Sequence, residues 1–212
     1  MYQSQRRYHS GVRQSGSGFI VAAGSPPPSF PVNGILDNFN RADTGPPPSA
    51  NWTTSWRASS GGFLVSGNTV RGNAAGDNST YWNVQNFGPD VEVYGTIIGS
   101  PASYRGVAAR LVSEGTAGVD GYEVVVADNT FYITRWDNDA QTTLGASIAQ
   151  SISDGDSFGM SIVGSTITAY HKPAAGSWTV IGTRTDSTYS AAGKIGLRSE
   201  NVFWDDFGGG SL

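Results

Sequence analysis

About fifteen short runs in which apolar and polar residues alternate fill residues 36–208, and single Gly, Asn, Asp and Ser residues separate them. A period of two puts every other side chain on one face of an extended strand, so each run has to bury one face against another layer. The runs lie at 36–40, 52–57, 62–66, 69–72, 80–84, 91–98, 105–112, 121–127, 130–136, 142–148, 157–163, 166–171, 178–184, 193–199 and 203–208. Phe158, Met160 and Ile162 should face one way and Ser157, Gly159 and Ser161 the other; Ile167 and Ala169 alternate with Thr166, Thr168 and Tyr170. Hairpin turns are expected at Ser66-Gly67-Asn68, Asp128-Asn129 and Gly164-Ser165. No stretch has a capped 3.6-residue apolar period, and no repeat recurs at a fixed spacing, so helical bundles, propellers and solenoids are set aside. An all-β sandwich or barrel remains, and six Trp and nine Phe are enough to fill its core.

The first and last runs look alike. Leu36-Asp37-Asn38-Phe39 opens the series and Trp204-Asp205-Asp206-Phe207 closes it, as expected if the first and last strands meet. Two regions follow: an extended, basic, Gly- and Pro-rich anchoring arm at 1–35 and a sandwich domain at 36–212. The arm has Arg6, Arg7 and Arg13, one isolated apolar run at Phe19-Ile20-Val21, and a polyproline stretch that ends at Phe30. An isolated apolar run cannot offset its own ordering entropy, so it needs a neighbour to pack on. These seven residues are the expected anchoring contacts. All 17 acidic residues lie beyond the arm with 10 of the 13 basic ones, so the domain carries about −7. That charge does not suit a nucleic-acid backbone. There is no cysteine, hence no disulfide or thiolate chemistry. No apolar segment follows the first residues as a signal peptide would require, and no run approaches the roughly 18 apolar residues of a membrane span. The expectation is therefore no membrane partner.

The order of motifs carries a resemblance. Asp37-Asn38-Phe39-Asn40-Arg41-Ala42-Asp43 is followed by Asn51-Trp52, then by Gly62-Phe63-Leu64-Val65-Ser66-Gly67-Asn68-Thr69-Val70-Arg71-Gly72. Gly106-Val107-Ala108-Ala109-Arg110, Gly121-Tyr122-Glu123-Val124, Asp154-Gly155-Asp156, Gly164–Tyr170 and Gly193-Lys194-Ile195-Gly196-Leu197 complete the run. Over 36–208 this resembles the laminin-G-like, concanavalin A-like jelly-roll domains found in bacteriophage minor tail and other virion proteins and in secreted bacterial proteins. The resemblance implies a jelly-roll β-sandwich with its terminal strands paired, Phe39 and Phe207 in the core, and Asp37 and Asp205 pointing elsewhere to cap turns. The arm has no counterpart in isolated sugar-binding modules of this kind, which favours a particle-anchored role.

Catalytic equipment is sparse. His9 lies in the arm, and His171, before Lys172-Pro173, reads as an exposed turn residue. No metalloprotease, nucleophile-elbow or phosphate-loop motif is present, and zinc has no ligand set. The Glu-x-Asp-x-Glu strand that the resemblance would imply for a glucanase is missing, so the chain is read as no enzyme. Glycan sites combine an aromatic platform with amides and carboxylates. The candidates are Trp82 with Asn83, Tyr104 with Arg105, and Trp136 with Asp137, Asn138 and Asp139 on a hairpin tip; Trp52 and Trp204 read as core. Asp154-Gly155-Asp156 reads as a turn, with calcium as the rival reading and no other cofactor expected. The leading expectation is a non-enzymatic phage virion protein of minor-tail or decoration type, homo-oligomeric on a symmetric particle. It would be held to other virion proteins through residues 1–35 and would display the jelly roll to host-surface glycans. The alternative is a carbohydrate-binding module of a secreted or surface protein.

Overall fold

The computed structural model describes residues 29–99, 104–115, 118–200 and 202–212. Sixteen strands follow one another: β1 (Ile35–Asp37), β2 (Trp52–Thr54), β3 (Phe63–Ser66), β4 (Thr69–Gly72), β5 (Asp77–Trp82), β6 (Val91–Ile98), β7 (Arg105–Val112) and β8 (Asp120–Ala127). Then come β9 (Thr130–Asp137), β10 (Ala140–Thr143), β11 (Ile148–Ala149), β12 (Ser157–Val163), β13 (Thr166–Lys172), β14 (Thr179–Thr185), β15 (Lys194–Glu200) and β16 (Phe203–Ser211). They form two antiparallel sheets. The first runs β14-β13-β12-β6-β16-β4-β3, with β1 added beside β16. The second runs β10-β9-β8-β7-β15-β5-β2, with β11 added beside β9. No helix occurs among the described residues.

The terminal strands meet as the sequence implies: Ile35 lies opposite Gly208 and Asp37 opposite Phe207. Phe39 and Phe207 are fully buried between the sheets with Trp52, Phe63, Phe131, Phe158 and Trp204. Asp37 caps its turn by accepting from the N–H of Phe39, a bidentate pair from Arg41 and the indole N–H of Trp52. Asp205 accepts from the N–H of Asp206.

The expected alternation holds on β12, where Phe158, Met160 and Ile162 face inward and are fully buried. Strand β13 itself ends at Lys172, one residue past the expected 171, and places His171 within the strand. Ile167, Ala169 and His171 all point inward, so His171 is buried and not an exposed turn residue. The hairpin turns use left-handed residues where the sequence supplies them: Gly67 and Asn68 join β3 to β4, and Asp128 and Asn129 join β8 to β9. The expected run at 142–148 divides into β10 and β11, because Gly145 takes a positive φ of 73° between them. The run at 52–57 stops at Thr54, because Ser55 turns the chain with φ 57°. Residues 30–33, expected in the arm, pack on the outer face of the first sheet.

Candidate functional site

The outward side chains of the second sheet form one polar cluster. Glu123 on β8 points away from the core, between the inward-facing Tyr122 and Val124. Register places Ala108 of β7 on one side of it and Thr134 of β9 on the other. Arg198 of β15 lies opposite Gly106, and that glycine lets the two long side chains meet. A Cβ at Gly106 would stand 2.0 Å from Glu123 Oε1. Arg198 Nη1 lies 3.5 Å from Glu123 Oε2, and Arg198 Nε donates to Asp77 on β5 at 2.7 Å. Its guanidinium sits 4.5 Å from the Tyr104 ring centre and 5.3 Å from that of Trp136. Trp136 Nε1 and Gln141 Nε2 both donate to Glu123 Oε2, at 3.1 and 3.0 Å. Tyr104 Oη donates to the Gln141 amide oxygen at 3.2 Å.

The turn at Ser55 supplies the rest. It folds Trp56 back over the sheet, where its indole N–H donates to the Leu197 carbonyl at 3.0 Å. There Trp56 packs with Trp136, Ala108, Leu111 and Val119 in a second, small apolar cluster. Arg57 follows. Its Nε donates to Asp139 at 2.8 Å, its Nη1 pairs with Asp77, and its guanidinium lies 4.5 Å over the Trp136 ring. Three carboxylates and two guanidiniums thus alternate across the sheet face.

Burial pushes the Glu123 carboxyl above its ordinary value, more than Arg198 and the Trp136 N–H pull it down. Burial works against the Arg198 charge as well, but Glu123 and Asp77 outweigh it and hold the guanidinium more firmly protonated than usual. Burial and the Glu123 charge raise the Tyr104 hydroxyl. Two atoms of the cluster stay unsatisfied: Glu123 Oε1 and Arg198 Nη1 are buried and make no hydrogen bond. An orphaned buried polar atom costs about 1–3 kcal/mol, so the site carries an acceptor and a donor at a stability cost.

The residues singled out from the sequence fall in different places. Tyr104 and Asp139 belong to the cluster, and Tyr104 is half-buried at its edge. Trp136 belongs to it too, but it is buried under Arg57 and Trp56 and presents no free face. Asn138 and Asp139 have positive φ and make the expected hairpin tip. There Asn138 is exposed, while Asp137 turns aside to Arg135 and Tyr189. Trp82 lies in the main core at 5.4 Å from Trp52, edge to face, so it offers no platform. The core positions of Trp52 and Trp204 are as expected. Of the anchoring residues, Arg6, Arg7, Arg13, Phe19, Ile20 and Val21 lie outside the described residues. Phe30 packs on the domain itself. Glu123, Arg198, Asp77, Arg57 and Gln141 were not singled out; the available signal was a charged residue set alone inside apolar runs, as in Tyr122-Glu123-Val124 and Leu197-Arg198-Ser199.

Asp154 and Asp156 serve the turn. Asp154 accepts from the Gly99 N–H at 2.7 Å. Asp156 is buried, with Oδ1 accepting from Ala174 N–H and Oδ2 from Ser153 N–H, and Oδ2 also lies 2.9 Å from His171 Nε2. Both Asp156 oxygens thus help to hold the turn. Among the described residues, no group of three or more His, Asp or Glu is arranged to hold a metal.

The sequence matches no family model and no curated protein. Solved structures do match. A carbohydrate-binding module, CBM66 from Bacillus subtilis, is 16% identical with a TM-score of 0.57, over 74% of this chain and 91% of that one. A Bacillus licheniformis β-glucanase is 9% identical with a TM-score of 0.57, over 85% and 99%. The VIP36 exoplasmic/lumenal domain in its calcium- and mannose-bound form is 11% identical with a TM-score of 0.56, over 80% and 89%. The chain therefore has the concanavalin A-like jelly-roll fold that its motifs resemble.

Proposed function

We propose that this domain binds carbohydrate on the outer face of its second sheet, around Tyr104, Gln141, Arg198 and Glu123. The observation that carries this reading is an aromatic ring beside an exposed amide: half-buried Tyr104 donates to Gln141, which is exposed and is held from below by the buried Glu123. Tyr104 and Gln141 form the accessible edge, where the Tyr104 ring supplies an apolar surface for a sugar face and the amide supplies polar contacts. Two of the fold neighbours are a carbohydrate-binding module and a mannose-bound domain. They support the second of the roles expected from the sequence, a carbohydrate-binding module, more than attachment to a phage particle.

Binding without turnover is the chemistry proposed. Glycoside hydrolysis needs two carboxylates about 5–10 Å apart on either side of an open bond. Here Glu123 is fully buried, and Asp77 and Asp139 are tied to Arg57 and Arg198. Affinity electrophoresis of the full chain in β-glucan and mannan gels tests the reading. Retardation should fall by about tenfold in Tyr104→Ala, equivalent to about 1.4 kcal/mol, and no reducing ends should appear. Wild-type protein that runs unretarded through a broad glycan panel would overturn it.

A further inference from the structure

The outer face of the first sheet holds a second arrangement, on the opposite side of the molecule from the site above. Tyr94 of β6, Tyr170 of β13 and Trp178 just before β14 stand around a floor made by Gly159 of β12. The Phe30 ring lies in this cradle. It stacks on Tyr170 with centroids 3.9 Å apart and planes within 2°. Trp178 meets it edge-on at 4.9 Å, and Tyr94 at 6.1 Å. Glycines clear the space. A Cβ at Gly159 would stand 2.8 Å from the Phe30 ring, one at Gly210 would stand 2.5 Å from the Asn33 side chain, and one at Gly208 would strike the Tyr94 ring at 2.2 Å.

Beside the ring, Glu92 receives the strap's polar groups. Its carboxylate is 1% exposed and accepts from the N–H groups of Val32 and Asn33 and from the Asn33 amide. Tyr94 Oη donates to the Asn33 carbonyl at 3.0 Å. Among the described residues, the hydrogen bonds that the Glu92 carboxylate accepts come from residues 32 and 33. Lifting the strap would therefore open a flat aromatic wall, a glycine floor and an acceptor carboxylate at its side.

We propose that this cradle is a second carbohydrate-binding site, and that Phe30–Asn33 occupies it as an internal ligand. The stacked ring fills the place of a pyranose face, which presents C–H groups to an aromatic plane. The N–H donors on Glu92 fill the place of sugar hydroxyls, which donate to a carboxylate at the ring's edge. A sugar must displace the strap to bind, so the chain carries one open and one covered site. The strap's bonds to a carboxylate and its stacked ring keep the open state to under about a tenth of molecules, so unmasking tightens binding about tenfold or more.

The test compares full-length wild type, Phe30→Ser, and Phe30→Ser with Trp178→Ala, each in a Tyr104→Ala background that silences the first site. β-Glucan and mannan oligosaccharides are the probes, read by calorimetry. Phe30→Ser should gain affinity about tenfold, and the Trp178→Ala change should remove the gain. No gain, or a gain that survives loss of Trp178, overturns the proposal. A gain for an added Ser29–Gly34 peptide with none for sugar also overturns it, by making the cradle a peptide site. Hydrogen exchange in the Tyr104→Ala chain with Phe30 intact needs no unmasked variant. Saturating oligosaccharide should speed exchange at the amides of Val32 and Asn33, and unchanged or slower exchange speaks against displacement.

Discussion

Asp37 and Asp186 show how single carboxylates hold loops to the sandwich. Burial raises each, but donors more than compensate. For Asp37 these are Arg41, the Trp52 indole and the Phe39 N–H, and the carboxyl stays below its ordinary value. For Asp186 they are Tyr122, the Thr188 N–H and hydroxyl, and Arg135, which bring it down to about 2. The unfolded value is near 3.9. The stability these two groups contribute is therefore complete above that pH; it is lost as the pH falls through the lowered value of each, which for Asp186 is about 2. Glu123 and Asp205 act in the opposite sense. Burial raises both, so the folded state holds their protons more tightly and loses stability as the pH rises through their raised values. Asp186→Asn should cost about 2–3 kcal/mol at neutral pH and flatten the acid limb of a Tm-against-pH curve. An acid limb as steep as wild type would mean that Asp186 does not carry it. Arg110 acts at the same scale: buried, it donates to the carbonyls of Pro89, Tyr189 and Gly164 and ties three loops together.

Strands and turns decide which side chains can meet. Glu123 and Arg198 lie on β8 and β15, separated by β7, and they touch only because Gly106 stands between them without a side chain. Gly106→Ala should push Glu123 out of its pair and cost about 1–3 kcal/mol. Sugar retardation should fall with it, although residue 106 would make no sugar contact itself. Denaturant unfolding together with affinity electrophoresis checks both effects, and retained binding would detach the site from this pair. The same scale explains His171. Strand β13 continues through Lys172, so His171 keeps the strand's alternation, which turns the imidazole inward to Asp156 and within 6.4 Å of Phe131. The hairpins were legible because Gly67-Asn68, Asp128-Asn129 and Asn138-Asp139 are residue types that tolerate left-handed backbone. The end of β2 was not, since a serine with positive φ carries no comparable mark.

At the scale of the molecule, the domain begins earlier than its first strand. Residues 30–33 add a stacked ring and the partners of a buried carboxylate to the first sheet. A chain starting at Ser29 should unfold at the Tm of the full protein. One starting at Leu36 should unfold about 5–10 °C lower, since each kcal/mol is worth about 2–4 °C at this size. Equal melting temperatures in a calorimeter would show the strap to be dispensable for stability. The sequence by itself determined an all-β sandwich, its closing strands, most turns and the aromatic core, because alternation and turn chemistry act between near neighbours in the chain. Only the tertiary structure decided which aromatics keep a free face. Trp136 and Trp82 share the composition of a platform but are covered by Trp56, Arg57 and Trp52, which come from other parts of the chain. The Glu123–Arg198–Asp77 cluster and the Phe30 cradle have the same origin. Their members are brought together by strand order and register, which depend on burial summed over both whole sheets and leave no local signature around any one of them.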